Sequence, residues 1–130
     1  MMAFDLYRLS IIFDKPLWRE RAEQMVEGLS DVIHKYPSSF AVWLSLFYEL
    51  ECGTSEIAVV GKDWKFYLEK IRGIYISHKL ALATENPQPG YPLLADKAKT
   101  SNILIYVCKN YACRAPVSTI QDFIPLIQSK

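Results

Sequence analysis

The sequence predicts a mixed α/β fold, in which an N-terminal helical hairpin region is followed by a small three-stranded, mainly parallel sheet with flanking helices. Two observations carry this prediction. In residues 1–53, apolar side chains recur at the three- and four-residue spacing of amphipathic helices. In residues 54–130, short apolar runs alternate with helical patterns, which is typical of parallel strands joined by helices. We therefore predict a helical domain over 1–53 and a small α/β domain over 54–130.

A first amphipathic helix is predicted over residues 3–13, and the longest predicted helix follows it, between Asp14 and Pro37. Asp14 is placed to cap the free N–H groups at the start of this second helix, and Pro16 suits its first turn. A single apolar stripe then continues for about five turns. Pro37 ends this helix, because proline disfavours helical geometry in the residue that precedes it.

A third helix is predicted between Ser38-Ser39, which can cap its start, and Gly53, which suits a left-handed helix end. This helix is apolar on nearly all sides, so we expect it to lie inside, against more than one neighbour. The short connection makes it an antiparallel hairpin with the helix before it.

Three strands are predicted in the second domain, at Glu56 to Gly61, Ile76 to Ala83 and Asn102 to Cys108. A right-handed crossover gives the order 2-1-3, with the first strand central. Ligands bind off the carboxyl ends of parallel strands, so the segments after the three strands are expected to meet at one edge. These segments are Gly61-Lys62-Asp63, Thr84-Glu85-Asn86 and Cys108-Lys109-Asn110.

The second domain also contains a long loop and a last helix. Residues 84–101 hold three prolines and a glycine, which predicts a loop with a turn of helix near Leu93-Leu94. Ser118 and Gln121 have the spacing of a capping box, and Pro125 is expected to bend or shorten the helix that follows.

Composition and charge limit the classes of partner that the protein is expected to bind. Residues 1–60 carry five Lys/Arg against nine Asp/Glu, and residues 61–130 carry ten against five. No dense basic cluster is interleaved with aromatics, and no apolar run approaches the roughly 20 residues of a membrane span, so neither nucleic acid nor membrane is predicted. The start of the chain lacks a signal-peptide pattern, and three cysteines are an odd number. These features indicate a cytoplasmic protein.

No cofactor, metal or catalytic set is predicted. Gly61 stands alone where the dinucleotide fingerprint needs three glycines, and no phosphate-binding G-x4-G-K-[ST] motif occurs. His34 lies near the end of a helix, and His78 lies in a predicted strand of alternating polar and apolar residues. Each is interpreted as a surface or hydrogen-bonded side chain rather than as a general base.

Cys108 and Cys113, spaced C-x4-C, are the one constellation that can carry chemistry. The spacing favours structural loop thiols. A redox pair or disulfide remains open, with Lys109 and Arg114 placed to stabilise a thiolate, although dithiol oxidoreductases use C-x-x-C. A metal site would need four ligands, and the other candidates stand singly: Cys52, His34 and His78.

Four segments, in this order along the chain, resemble one protein family. They are Trp18-Arg19-Glu20-Arg21-Ala22-Glu23, Tyr36-Pro37-Ser38-Ser39-Phe40, Glu56-Ile57-Ala58-Val59-Val60-Gly61 and, most specifically, Tyr106-Val107-Cys108-Lys109-Asn110-Tyr111-Ala112-Cys113-Arg114-Ala115-Pro116. The last is similar to a closing Y-V-C-x-N-x-x-C-x-x-P. The sequence thus resembles the C-terminal region of thioredoxin-domain-containing proteins of the spermatogenesis-associated protein 20 type.

The resemblance implies a fragment of a larger architecture, a thioredoxin-like domain followed by a six-hairpin α/α toroid. Helices within 3–51 would be the last toroid helices, and 54–130 the α/β cap. The thioredoxin-like domain's catalytic cysteines have no matching positions here, and the cysteine pair is carried over without a role.

Two functions are therefore expected. The first is a non-catalytic structural or interaction module of a larger protein, whose partner is the remainder of that protein or a second copy bound through exposed helix faces. The alternative is a thiol-redox or ligand-binding site built on Cys108 and Cys113.

Overall fold

A computed structural model gives the fold and describes residues 2–86, 90–95 and 102–128. The chain divides into two compact units, Met1–Gly53 and Thr54–Lys130. The described residues form helices and one mixed four-stranded sheet, so the predicted mixed α/β class is confirmed. The elements are α1 (Met2–Phe13), α2 (Pro16–Glu27), α3 (Ser30–Lys35), α4 (Ala41–Cys52), β1 (Ser55–Val60), α5 (Trp64–Arg72), β2 (Lys79–Thr84), β3 (Leu104–Lys109), β4 (Ala112–Cys113) and α6 (Ile120–Gln128).

In the helical unit, α1 packs along α2, and α4 contacts both α2 and α3. The buried stripe of α1 consists of Ala3, Tyr7 and Ile11, four residues apart, so the three lie on one helix face. Arg8, on the same helix, donates from Nη2 to both carboxylate oxygens of Glu49, at 3.2 and 3.3 Å. Because Glu49 is buried, this ion pair holds a charged group of α4 against α1.

The predicted five-turn helix is broken, and the prediction of one continuous helix is wrong. α2 ends at Glu27 and α3 begins at Ser30, although the apolar stripe continues across the break with buried Val26 and Ile33. Gly28 lies at the break, where glycine costs a helix about 1 kcal/mol relative to alanine. The next amide, of Leu29, donates to the carbonyl of Val26, an i−3 bond that tightens the turn.

The predicted helix caps in this unit are also wrong. The residues that precede α2 and α4 are Lys15 and Phe40, and neither makes a side-chain capping hydrogen bond. Asp14 instead takes a positive φ of 50° in the turn between α1 and α2. Gly53 does end α4 as predicted by its residue type, at a φ of 81°, where glycine is favoured.

α4 is not the internal helix that its composition predicts. Only Leu46 and Glu49 of its twelve residues are buried, whereas Val42 is 54% and Tyr48 61% exposed. Its neighbours in the unit cover one face, and its other apolar residues are half-buried or exposed. None of the described helices combines the length and apolar character that crossing a membrane requires.

The sheet has the strand order β2-β1-β3-β4. The predicted order of the first three strands is found, and β1 is parallel to β2 as expected. β3, however, is antiparallel to β1, so the mainly parallel sheet is a correction, and β4 is a fourth strand that was not predicted. The register explains the direction of β3. Val60, the last residue of β1, pairs with both Thr84, the last residue of β2, and Leu104, the first residue of β3. The chain therefore re-enters the sheet at the same end of the strands at which β2 leaves it.

β1 is buried on both faces, which explains its continuous apolar run. One face carries Ile57 and Val59, which pack with Ile71 of α5 and Phe123 of α6. The other face is built from β1, β3 and the turn that contains Leu93 and Leu94: Ala58, Val60, Leu94, Tyr106 and Cys108. The turn predicted near Leu93-Leu94 is found, with the amides of Leu94 and Ala95 bonded to the carbonyl of Tyr91 at 2.8 Å.

The last helix starts one residue later than its predicted capping box. Thr119 Oγ1, rather than Ser118, accepts the amide of Asp122 at 3.2 Å. Pro125 lies within the helix and does not end it.

Gly61 is the position at which the sheet tolerates no side chain. Its φ is 137°, and a Cβ there would lie 2.8 Å from the carbonyl oxygen of Asn102 and 2.9 Å from the Cα of Ile103. Both neighbours are backbone atoms, so they cannot rotate away.

We expect Gly61→Ala to lower the free energy of unfolding by about 3 kcal/mol, since it combines an unfavourable φ with a backbone clash. Gly73→Ala is the matched control, because Gly73 has a helical φ of −74° and its nearest contact would be 3.5 Å away. This control should change stability by no more than about 0.5 kcal/mol. Urea denaturation measures both, and equal losses would contradict the clash.

Candidate functional site

The three predicted strand ends do not meet. The amide of Gly61 donates to the carbonyl of Thr84 at 3.0 Å, which places the first two segments side by side. Because β3 runs antiparallel to β1, the carboxyl end of β3 lies at the opposite end of the sheet, beside the start of β1, with Cys108 paired to Glu56. Asn102 and Ile103, which precede β3, occupy the place next to Gly61 instead. The expected single cluster is therefore wrong.

A cleft of about 280 Å³ lies at the end of the sheet where β1 and β2 terminate. It is lined by Lys62, Asp63, Tyr67, Asn102, Ile103 and Ser118. Its charged side chains, Lys62 and Asp63, are exposed, so water competes for every polar contact that a ligand would make there.

The cysteine pair lies at the other end of the sheet, beside the start of β1. β3 and β4 form an antiparallel hairpin in which Cys108 and Cys113 face each other, with their Cα atoms 3.9 Å apart. The two sulfur atoms are joined in a disulfide, rather than remaining the two separate thiols that the spacing favoured. Cys108 is 2% exposed, whereas Cys113 is exposed to solvent. The bond thus joins a buried residue to an exposed one.

A two-residue turn brings the cysteines together. Lys109 pairs with Ala112, which leaves Asn110 and Tyr111 as the loop, with φ values of 51° and 64°. Two positive φ values are the signature of a type I′ hairpin turn. Asparagine is common in such turns, but the second position is usually glycine, and a left-handed tyrosine costs about 1–2 kcal/mol.

A buried carboxylate holds this turn. Glu56 is buried at the start of β1, and its Oε2 accepts the amide of Tyr111 at 3.1 Å. Glu56 is also the direct cross-strand partner of Cys108, so the two side chains project from the same face of the sheet. Sequence reasoning missed this residue. The available signal was a charge at the start of a strand that is otherwise apolar.

The chain after the turn continues along the outer edge of β3. The amide of Arg114 donates to the carbonyl of Val107 at 3.0 Å, and Val117 exchanges two hydrogen bonds with Ile105 at 2.8 and 3.0 Å. From Arg114 to Val117 the chain advances three residues, while β3 advances two, so this stretch contains a β-bulge. Pro116, which has no N–H group, lies in it. We call residues 112–117 the edge segment.

The two basic residues that flank the pair differ in their surroundings. Lys109 is exposed at the end of β3. Arg114 Nη1 donates to the carbonyl oxygen of Leu126 at 3.2 Å, in the last turn of α6, where positive charge is favourable. The arginine predicted to stabilise a thiolate thus links the edge segment to a helix end.

The remaining candidates lie elsewhere. His34 Nδ1 is 2.7 Å from the carbonyl of Ser30 in α3, and Cys52 is an exposed free thiol at the end of α4. His78 precedes β2 with a φ of 53°, so its predicted place within a strand is wrong. Within the described ranges, no three side chains of His, Cys, Asp or Glu gather as metal ligands.

The hairpin gives a direct test of the turn conformation. Tyr111→Gly should be more stable than Tyr111→Ala by about 1 kcal/mol, because both remove the ring but only glycine tolerates a φ of 64° without a steric cost. Chemical denaturation of the two oxidised variants measures the difference. Equal stability would show that the left-handed turn is not kept.

Comparison with known proteins gives one distant similarity. The chain is similar to Uncharacterized protein B0495.5 of Caenorhabditis elegans, with 23% identity over 130 aligned positions. The alignment covers 91% of this chain and 17% of that protein, so the chain spans less than a fifth of the relative's length. No protein family model matches the chain, and no solved structure matches it at a significant level.

Proposed function

We propose that this chain is a non-catalytic structural and interaction module. In the proposal it is the C-terminal region of a longer thioredoxin-domain-containing protein of the spermatogenesis-associated protein 20 type. Residues 1–53 would supply the last helices of an α/α toroid, and residues 54–130 the α/β cap. Cytoplasmic location and the absence of nucleic-acid and membrane partners are parts of the same proposal.

The observation that carries the proposal is the surface of the helical unit. In the described part of this unit, nine large apolar side chains are more than a third exposed: Met2, Leu9, Phe13, Leu17, Trp18, Val32, Tyr36, Val42 and Tyr48. Because these side chains lie on or next to all four helices of the unit, they are available for further helices to cover.

The partner proposed for this surface is the rest of the same polypeptide. The C. elegans relative is several times longer than the aligned region, which leaves ample chain to supply further helices. In a toroid of helical hairpins each hairpin packs against its neighbours, so a terminal hairpin isolated from them exposes the faces that the neighbours would bury.

In isolation, the 130-residue chain should self-associate through these faces. We expect sedimentation velocity to show an average mass that rises with concentration. Leu17 is 75% and Tyr48 61% exposed, so the double variant Leu17→Glu/Tyr48→Glu should weaken association about tenfold or more. Tyr75→Glu is the matched control, at a 90% exposed tyrosine of the α/β unit, and should leave association unchanged. A chain that stays strictly monomeric at high concentration contradicts the proposal.

A second candidate function is a thiol-redox site at Cys108 and Cys113, and the cross-strand pairing of the two sulfurs favours it. In a cytoplasmic protein, which is the location proposed above, disulfides are usually transient and redox-active.

This candidate makes a countable prediction, with the free thiols counted after unfolding because Cys108 is buried. The oxidised chain should present one titratable thiol, that of Cys52, and the chain reduced by dithiothreitol should present three. Cys52→Ser should lower each count by one. Three thiols after incubation with oxidised glutathione would exclude the redox site.

A further inference from the structure

We propose that the Cys108–Cys113 disulfide opens at Cys113, and that its opening frees the turn and β4, residues 110–114, from β3. This inference rests on the second of the two proposed functions.

Access decides which sulfur is attacked. A thiolate must reach a disulfide sulfur from the side opposite the bond that breaks. Cys108 is 2% exposed and packs in the cluster that contains Ala58 and Tyr106, so an external thiol has little access to it. Cys113 lies exposed on the two-residue β4. An external thiol therefore attacks Cys113 Sγ, and Cys108 is the leaving group.

The reductant is a thiol compound, either a small monothiol or a protein dithiol. Its thiolate forms a bond to Cys113 Sγ, the Cys108–Cys113 bond breaks, and the electron pair stays on Cys108 Sγ, which takes a proton. A second thiolate of the reductant then attacks the reductant's sulfur in the mixed disulfide. Cys113 leaves as a thiolate, and the net change is two protein thiols gained for one reductant disulfide formed.

Glu56 adds a second asymmetry. Its buried carboxylate lies directly across the strand pair from Cys108, on the same face. Burial and a neighbouring carboxylate both disfavour a thiolate at Cys108, so Cys108 is the poorer of the two leaving groups. Attack at Cys113 therefore rests on access, which has to outweigh this leaving-group effect, and in the reduced protein the exposed Cys113 is the more readily ionised thiol and starts reoxidation.

The segment that responds is the one with the weakest attachment. Both residues of β4 are exposed, so they contribute no apolar burial. With the disulfide open, the attachments of residues 110–114 still include the Tyr111–Glu56, Arg114–Val107 and Arg114–Leu126 hydrogen bonds, which act against the cost of two left-handed residues. Ile105, in contrast, belongs to the core that contains Phe123, so its pairing with Val117 has apolar support. Opening should stop before Val117.

The first experiment maps the mixed disulfide in the full chain with Cys52→Ser, which leaves only the pair. The oxidised protein is incubated with reduced glutathione, quenched with N-ethylmaleimide and analysed by peptide mass spectrometry. We expect glutathione on Cys113 at least about tenfold more often than on Cys108. Equal amounts, or an excess on Cys108, would overturn the assignment. This measurement needs neither cysteine of the pair to be replaced.

Glu56→Gln tests the role of the carboxylate, since glutamine keeps an oxygen that accepts the Tyr111 amide and removes the charge. In the reduced protein, alkylation of Cys108 by iodoacetamide should become about tenfold faster, and that of Cys113 should change less than about twofold. Equal acceleration at both cysteines would indicate general loosening and overturn the electrostatic argument.

The third experiment follows the segment by amide hydrogen exchange on oxidised and dithiothreitol-reduced protein. Tyr111 and Arg114 should exchange about tenfold faster or more after reduction, while Ile105 and Val117 change less than about twofold. Unchanged exchange at Tyr111 and Arg114 would overturn the release of the turn. If no glutathione mixture oxidises the pair at all, the second proposed function itself fails; if the pair cycles but the adduct forms on Cys108, this inference alone fails.

Discussion

The α/β unit is organised by the double burial of β1. Ile57, Ala58, Val59 and Val60 are each at most 1% exposed, so both faces of this strand must be covered at once. At about 2 kcal/mol for each fully buried Ile or Val side chain, the strand is a large fraction of the stability that a small unit has. α5 and α6 supply the cover on one face, and β2 and β3 satisfy its two hydrogen-bonding edges. The requirement that both faces of β1 be covered and both of its edges be paired constrains where the neighbouring helices and strands can lie.

Glu56 is the exception within this apolar strand, and it connects the core to the candidate site. A buried carboxylate is costly unless hydrogen bonds compensate it. Here one of its partners is the turn amide of Tyr111, which belongs to the hairpin that holds the disulfide. The hairpin is therefore positioned by a group on the most deeply buried strand of the sheet. Through this contact the exposed Cys113, in the two-residue β4, has a defined position.

The sequence predicts the parts of this fold that depend on local periodicity, and it fails where geometry depends on a connection. The apolar run of β1 and the amphipathic stripes of the helices locate those elements, because burial selects side-chain type at each position. The direction of β3 could not be read, since it is set by the path between Thr84 and Leu104 rather than by either strand. The stripe also runs through the break at Gly28, because α2 and α3 bury consecutive parts of one pattern.

The candidate site was only partly visible for a related reason. C-x4-C fits a two-residue hairpin, but Asn110-Tyr111 lacks the glycine that marks such turns, so the spacing suggested a loop. Glu56 could be recognised only once its cross-strand neighbour was known, because it is separated from Tyr111 by 55 positions.

The bulge in the edge segment has a consequence for the behaviour of the protein at high concentration. Sheets whose outermost strand is long and flat can accept a strand of another molecule and so extend into aggregates. Here β4 has two residues, and beyond it the chain bends at a bulge that contains Pro116, which has no N–H to donate. Intermolecular strand addition is therefore blocked on this side of the sheet by its own shape.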